Sequence, residues 1–149
     1  MNILVVGAGS IGKVYGYHLA KGGEANGTKV SFFVKEKYAN SARKGFCFYP
    51  LNQKAHREVP IRWNGFTVLT TLNEVKTQTW DFVVLGMSSP ALRSGWLEEF
   101  IKSAPSAVFV SLQPGLVDHD YLLTKILPNK LIEGTIHILS YETPTPVST

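Results

Sequence analysis

The chain has one cysteine, Cys47, among 149 residues. A single thiol excludes an internal disulfide framework. The four histidines are scattered and share no zinc-ligand spacing with Cys47, so no metal site is expected. No apolar stretch approaches the roughly 20 residues that a membrane span needs. No basic segment precedes the apolar opening, as it would in a secretory leader. Internal repeats and low-complexity blocks are missing. These absences predict a soluble, intracellular protein of the cytoplasm with no membrane partner. The length and a 44% hydrophobic content suit one domain with a real core.

The opening is far from featureless. Asn2-Ile3-Leu4-Val5-Val6 is a nearly unbroken apolar run, and Gly7-Ala8-Gly9-Ser10-Ile11-Gly12 follows it at once. Ile11, Val14, Tyr15, His18 and Leu19 then recur at helical spacing, a stripe expected to face a sheet. A buried strand, a G-x-G-x-x-G turn and an amphipathic helix in that order form the dinucleotide-binding fingerprint. Each glycine has a physical task. Gly7 permits the tight turn, Gly9 lets a pyrophosphate approach the backbone, and Gly12 lets the helix pack closely on the strand. Gly16, four residues on, would allow the same close approach. The free N–H groups and the dipole of the helix's first turn favour the phosphates' negative charge.

Further along, Val30–Val34 reads as a second strand, and Lys37–Lys44 as a short helix ended by Gly45. Residues 46–51, 58–63 and 66–70 read as short strands or excursions, and 72–77 as a helical turn. Phe82–Leu85 is a buried strand. A helix follows with Ser89 as N-cap, Pro90 at its first position, and Leu92, Trp96, Leu97, Phe100 and Ile101 as its apolar stripe. Ala107–Leu112 is another buried strand. Val117–Leu127 is helical up to Pro128, and Leu131–Leu139 is a last strand. Apolar strands alternating with helices predict an α/β fold: a Rossmann-type, doubly wound parallel sheet. Residues 1–141 would form this single domain, and Glu142–Thr149, rich in proline and threonine, a tail or severed linker.

Charge discriminates between cofactors. The chain carries +4 overall, and residues 35–63 hold seven basic side chains against two acidic ones. This excess follows the second strand, where the adenosine end of a dinucleotide lies. NAD sites place a carboxylate there for the ribose hydroxyls, whereas NADP sites need a cation for the 2′-phosphate. Lys35 follows the predicted strand end, with Lys37 in support, which favours NADP. Glu36 stands against it, because a one-residue shift of the strand end would bring an acid into place. No helix-turn-helix, RRM or zinc pattern supports a nucleic-acid partner.

Several segments together resemble the ketopantoate reductase (2-dehydropantoate 2-reductase) family in its N-terminal NADP-binding domain. They are Ile3–Gly12, Tyr15-Gly16, Leu19, the basic Lys35, Asp81–Met87, Val110–Leu116 and Ile132–Thr135, in the family's order. The resemblance implies reduction of a small 2-oxo acid by NADPH. It implies a lysine general acid, a carboxylate and polar substrate contacts located mostly in a helical C-terminal domain. This chain is then expected to be the cofactor half, its catalytic residues unknown and its partner the missing domain or a second copy. Gly7, Ala8, Gly9, Ser10, Ile11 and Gly12 would hold the pyrophosphate. Lys35 and Lys37 would hold the 2′-phosphate. Met87 and Ser88 would line the nicotinamide side, with Gln113 and Gly115 close by. Two positions depart from the family: Ser88 replaces its lysine, and Pro114 replaces its asparagine.

The departures leave open an alternative, a non-catalytic dinucleotide-binding module or degenerate homologue that acts through a partner. Other polar residues invite structural readings. Asp118-His119-Asp120 suits a helix's first turn for dipole reasons. Cys47 has no reactive neighbour in sequence. Ser88 and Ser89 lack a nucleophile-elbow pattern.

Overall fold

The structure is a computed structural model that describes residues 1–50, 59–113 and 115–140. Its strands are β1 (Asn2–Val6), β2 (Lys29–Phe33), β3 (Phe46–Phe48), β4 (Ile61–Trp63), β5 (Thr67–Leu69), β6 (Phe82–Leu85), β7 (Val108–Ser111) and β8 (Leu131–Glu133). Its helices are α1 (Ser10–Gly22), α2 (Glu36–Arg43), α3 (Leu72–Lys76), α4 (Ser89–Leu92), α5 (Leu97–Ser103) and α6 (Leu116–Leu123). Six strands form one parallel sheet in the order β5-β2-β1-β6-β7-β8. β3 and β4 form a separate antiparallel hairpin. This is the doubly wound Rossmann-type arrangement that the sequence pattern predicts.

The apolar runs follow from burial on both faces of the sheet. Leu4 and Val6 of β1 point to one face, with Val83, Leu85, Trp80, Phe100 and Leu122. Ile3 and Val5 point to the other, with Val30, Phe32 and Val84. The second face is covered by Ile11, Tyr15, Leu19 and Ala20 of α1 and by Ala39 and Ala42 of α2. The stripe of α1 differs from expectation at two places. Val14 does not pack on this core and His18 is exposed, whereas Gly12 and Gly16 are buried, as their expected close approach requires. A Cβ built on Gly16 would lie 2.4 Å from Cζ of Phe32. The glycines, rather than Val14 and His18, make the contact with the sheet.

Element ends differ from the sequence reading for identifiable reasons. β2 runs Lys29–Phe33 rather than 30–34 because Gly7 N–H takes the Phe33 carbonyl at 3.0 Å and closes the ladder with β1. Val34 stays buried and donates to Leu69 O at 3.0 Å instead. The helix expected from Ser89 splits into α4 and α5, since Gly95 between them has φ +86°, outside the helical region. Ser88, not Ser89, occupies the N-cap position of α4. α6 ends at Leu123, and Pro128 opens a 3₁₀ turn, Pro128–Lys130, in place of stopping a longer helix. β8 is three residues long because its partner β7 ends at Ser111, whose carbonyl takes the last bond, from Gly134 N–H at 2.9 Å. Leu51 and Glu58, the ends of two predicted excursions, and the expected tail from 142 lie outside the described residues.

α3 is set by a capping box. Thr71 Oγ1 accepts from Glu74 N–H, and Glu74 Oε2 accepts from the N–H groups of Thr70 and Thr71, both at 2.8 Å. These bonds hold the Glu74 carboxyl below its usual range, the Thr70 amide first among them. Among the described residues no helix is long and apolar enough to cross a membrane.

The packing of α1 gives a first test. Gly16→Ala must displace the Phe32 ring and is expected to cost about 1–3 kcal/mol. Gly22→Ala meets nothing within 4 Å and is expected to be neutral or stabilising by up to about 1 kcal/mol. Urea denaturation of both variants measures the difference, and equal stabilities would contradict this packing.

Candidate functional site

The site is built at the carboxyl ends of β1, β2 and β6. β1 is central, and the chain leaves it first toward β2 and later toward β6, so a crevice opens at this switch of direction. The glycine turn forms its floor. Gly7 adopts φ +93°. A Cβ on Gly12 would lie 2.2 Å from the Gly7 carbonyl oxygen. Gly86, just after β6, is packed tightly though less so: a Cβ there would lie 3.2 Å from Gly12 Cα. Gly9 is the opposite case, since a Cβ on it would meet nothing within 4 Å.

Gly9 is also the N-cap of α1, and no side chain caps the helix. The bond from Lys13 N–H to Gly9 O at 3.0 Å is the first of the helix. The N–H groups of Ser10, Ile11 and Gly12 precede it and have no intrahelical acceptor. The first turn contains no acidic residue. The positive end of the helix dipole therefore faces the crevice without a built-in counter-charge.

The crevice is a long trough of about 2030 Å³. Gly7, Ala8, Gly9, Ser10, Lys35, Met87 and Ser88 line it, as expected from the sequence. Ile11 and Gly12 lie beneath the turn, Ile11 against the core and Gly12 buried. Lys37 stands outside the lining, with Nζ 4.8 Å from the centre of the Tyr38 ring. Among the described lining residues there is no aspartate or glutamate, whereas Lys13, Lys21 and Lys35 all contribute. Lys35 is the N-cap of α2 and is exposed. Glu36 is exposed in the first turn of α2 and does not line the trough. The one-residue change at the end of β2 therefore leaves the lysine, not the acid, in the lining.

Gln113 and Gly115 are placed away from the trough. Gln113 is 7% exposed. Its Nε2 donates to Leu85 O at 3.2 Å and Met87 O at 2.5 Å, and its Oε1 accepts from Ser111 Oγ at 2.9 Å. Its amide is thus spent on the exit of β6, and it meets the trough through Met87, at the backbone carbonyl and at Sδ (3.9 Å). Gly115 is the exposed N-cap of α6. Pro114 lies outside the described residues.

Asp118 lies in the first turn of α6, where an acid suits the helix dipole, and makes further contacts there. It is 4% exposed. It accepts from Ser89 Oγ and pairs with the guanidinium of Arg93. The Ser89 hydrogen bond, with Arg93 beside it, holds the Asp118 carboxyl below its usual range despite burial. Among the described residues no group of three His, Cys, Asp or Glu side chains is placed to hold a metal.

Sequence reasoning missed part of the lining. Gly86 carried a readable signal, a glycine directly after a buried strand. Lys13, Tyr38 and Ser41 also border the trough, and their helical positions alone did not set them apart. The stretch 134–140 returns over the glycine turn. Ser140 Oγ donates to Ser10 O at 3.1 Å, and His137, Ile138 and Leu139 border the trough. The sequence pattern instead predicts that residues 134–139 continue β8, which ends at Glu133.

A family model described as ketopantoate reductase PanE/ApbA matches residues 3–146. Among solved structures, the chain is similar to a 2-dehydropantoate 2-reductase from Geobacter metallireducens GS-15, with 22% identity, a TM-score of 0.69, and coverage of 89% of this chain and 40% of that one. It is also similar to a PanE/ApbA family ketopantoate reductase from Ralstonia eutropha JMP134, with 20% identity, a TM-score of 0.66, and coverage of 91% and 40%. A third is a D-mandelate dehydrogenase in a ternary structure with NADH and anilino(oxo)acetate, with 15% identity, a TM-score of 0.64, and coverage of 91% and 40%. The chain thus spans about 40% of the length of these proteins. At these identities the structures show a shared fold. The search of curated proteins found no match.

The Asp118 cluster predicts a pH dependence. A carboxyl whose folded pKa lies below its unfolded value stabilises the fold above the unfolded pKa. That contribution is lost as pH falls through the folded one. Asp118→Asn is expected to cost about 1–3 kcal/mol at neutral pH. The gap from the wild type should narrow below the ordinary aspartate value of 3.8. Denaturant melts between neutral and strongly acid pH measure this, and a gap that stays constant throughout would contradict it.

Proposed function

The chain belongs to the ketopantoate reductase PanE/ApbA family, and on that premise we propose that it forms the NADP(H)-binding part of an oxidoreductase acting on a small 2-oxo acid. The observation that carries this reading is the uncapped start of α1 facing a trough with lysines and no carboxylate among its described lining residues. Gly9 supports the fit: the space that a side chain would fill stands open above it. A diphosphate bridge brings negative charge and acceptor oxygens, which an uncapped helix start and close backbone can accept.

The N–H groups of Ser10, Ile11 and Gly12 would hold the pyrophosphate, although the Ile11 side chain packs against the core and Gly12 is buried beneath the turn. Lys35 would hold the 2′-phosphate. Lys37, displaced onto Tyr38, contributes only longer-range charge. Met87 and Ser88 would floor the nicotinamide end, with Gln113 fixing Met87 from behind. When bound, NADPH supplies a hydride to the ketone carbon of the substrate. Ser88 offers a hydroxyl but no charge where the resembled family carries a lysine, so a substrate carboxylate or oxyanion would find no cation at that position. No general acid is assigned to this chain.

Titration with NADPH and NADH, followed by fluorescence, tests the reading. The wild type is expected to bind NADPH more tightly than NADH. Lys35→Asp should weaken NADPH by about tenfold or more, roughly 1.4 kcal/mol, and NADH far less. Equal losses would remove the 2′-phosphate from Lys35. Gly9→Val should fold normally, because Gly9 has φ −72° and open space around it, yet lose both nucleotides. Binding of neither nucleotide by the wild type would overturn the proposal.

A further inference from the structure

The cofactor reading leaves one ionic cluster around a buried carboxylate unused. Asp118 lies in the first turn of α6, and its side chain is 6% exposed. Its Oδ2 accepts from Ser89 Oγ, and its Oδ1 pairs with Arg93. The Arg93 guanidinium lies 5.8 Å from the centre of the Tyr121 ring, one turn further along α6. Ser89 is the first residue of α4, and Arg93 is the residue just past its end. One carboxylate therefore grips both ends of a four-residue helix.

The C-terminal half of that helix is anchored by Leu92, fully buried in the core, and by Trp96 Nε1, which donates to Ala91 O at 2.8 Å, and neither contact reaches its first residues. Four residues fall far short of a self-sustaining helix. Ser88 supplies no side-chain cap, and Gly95 turns the chain away soon after. The segment immediately before α4 is Gly86-Met87-Ser88, which lines the trough. Gln113 anchors Met87 from the sheet side, and nothing equivalent is seen for Ser88 among the described side-chain bonds. A helix-dipole role alone does not explain the geometry. A first-turn acid serves the dipole from an exposed position, whereas Asp118 is buried and committed to α4.

We propose that Asp118 is a positioning residue: through Ser89 and Arg93 it ties α4 to α6 and so holds Met87 and Ser88 at the nicotinamide end of the trough. The inference rests on the cofactor reading above. It predicts that loss of the tie harms recognition of the nicotinamide half and spares the adenosine half, which is bound on the other side of the glycine turn.

Calorimetric titration of the full chain with NADPH and with adenosine 2′,5′-bisphosphate separates these halves. Asp118→Ala and Ser89→Ala are each expected to weaken NADPH by about tenfold and to leave adenosine 2′,5′-bisphosphate within about twofold of wild type. Asp118→Asn, which keeps an acceptor for Ser89, should retain part of the NADPH affinity. Ser89→Ala and Arg93→Gln remove one arm each and keep the test open if Asp118→Ala fails to fold. Folded variants that bind NADPH as the wild type does would overturn the proposal. So would equal loss of both ligands, which marks a purely structural role. A wild type that binds neither ligand would instead overturn the cofactor reading, and this inference with it.

Discussion

Helix α1 is set by how closely it packs on the sheet and its first turn, with Gly12 against the Gly7 carbonyl and Gly16 against the Phe32 ring. A methyl group at Gly12 would sit 2.2 Å from that oxygen, so the backbone could not keep its place. This contact brings the start of α1 down onto the ends of β1 and β6. Gly86 completes it from the β6 side. Three glycines thus set how far the helix start stands from the crevice, and no other residue type could occupy the central one without moving the turn.

Electrostatics builds on that geometry. The uncapped α1 start contributes partial positive charge, and Lys13, Lys35 and Lys21, the last paired with Glu24 at 3.4 Å, line the same trough. No carboxylate is among its described lining residues. Asp118 is buried against Ser89 and Arg93, Glu74 is spent on the Thr70 and Thr71 amides, and Glu36 is exposed outside the lining. Such a partition suits an anionic ligand. The two sides of the trough differ: the β2 side presents the charge of Lys35, and on the β6–β7 side buried hydrogen bonds from Gln113 hold the backbone of Leu85 and Met87.

Much of this was legible in the sequence because local chemistry and tertiary packing agree at the start of the chain. The apolar run of β1 and the three spaced glycines each demand the same structure, and the parallel sheet follows from strands buried on both faces. The resemblance carried by Asp81–Met87 and Val110–Leu116 extended that reading across the chain. What escaped depends on partners distant in sequence. Gln113 reads as a ligand-side polar residue, yet Leu85, Met87 and Ser111 consume its amide. Val14 and His18 carry the right period for the core stripe, yet the smaller Gly12 and Gly16 win the contact. The end of β8 is decided by where β7 stops, which no property of residues 134–139 reveals.

The grip of the α1 start on a diphosphate is tested most directly by backbone amide chemical shifts recorded during titration with NADPH. The expected result is that the amides of Ser10, Ile11 and Gly12 move furthest and saturate with the bound fraction. If those three resonances stay fixed while others elsewhere shift, the nucleotide is held by a different part of the surface and the glycine turn is not its cradle.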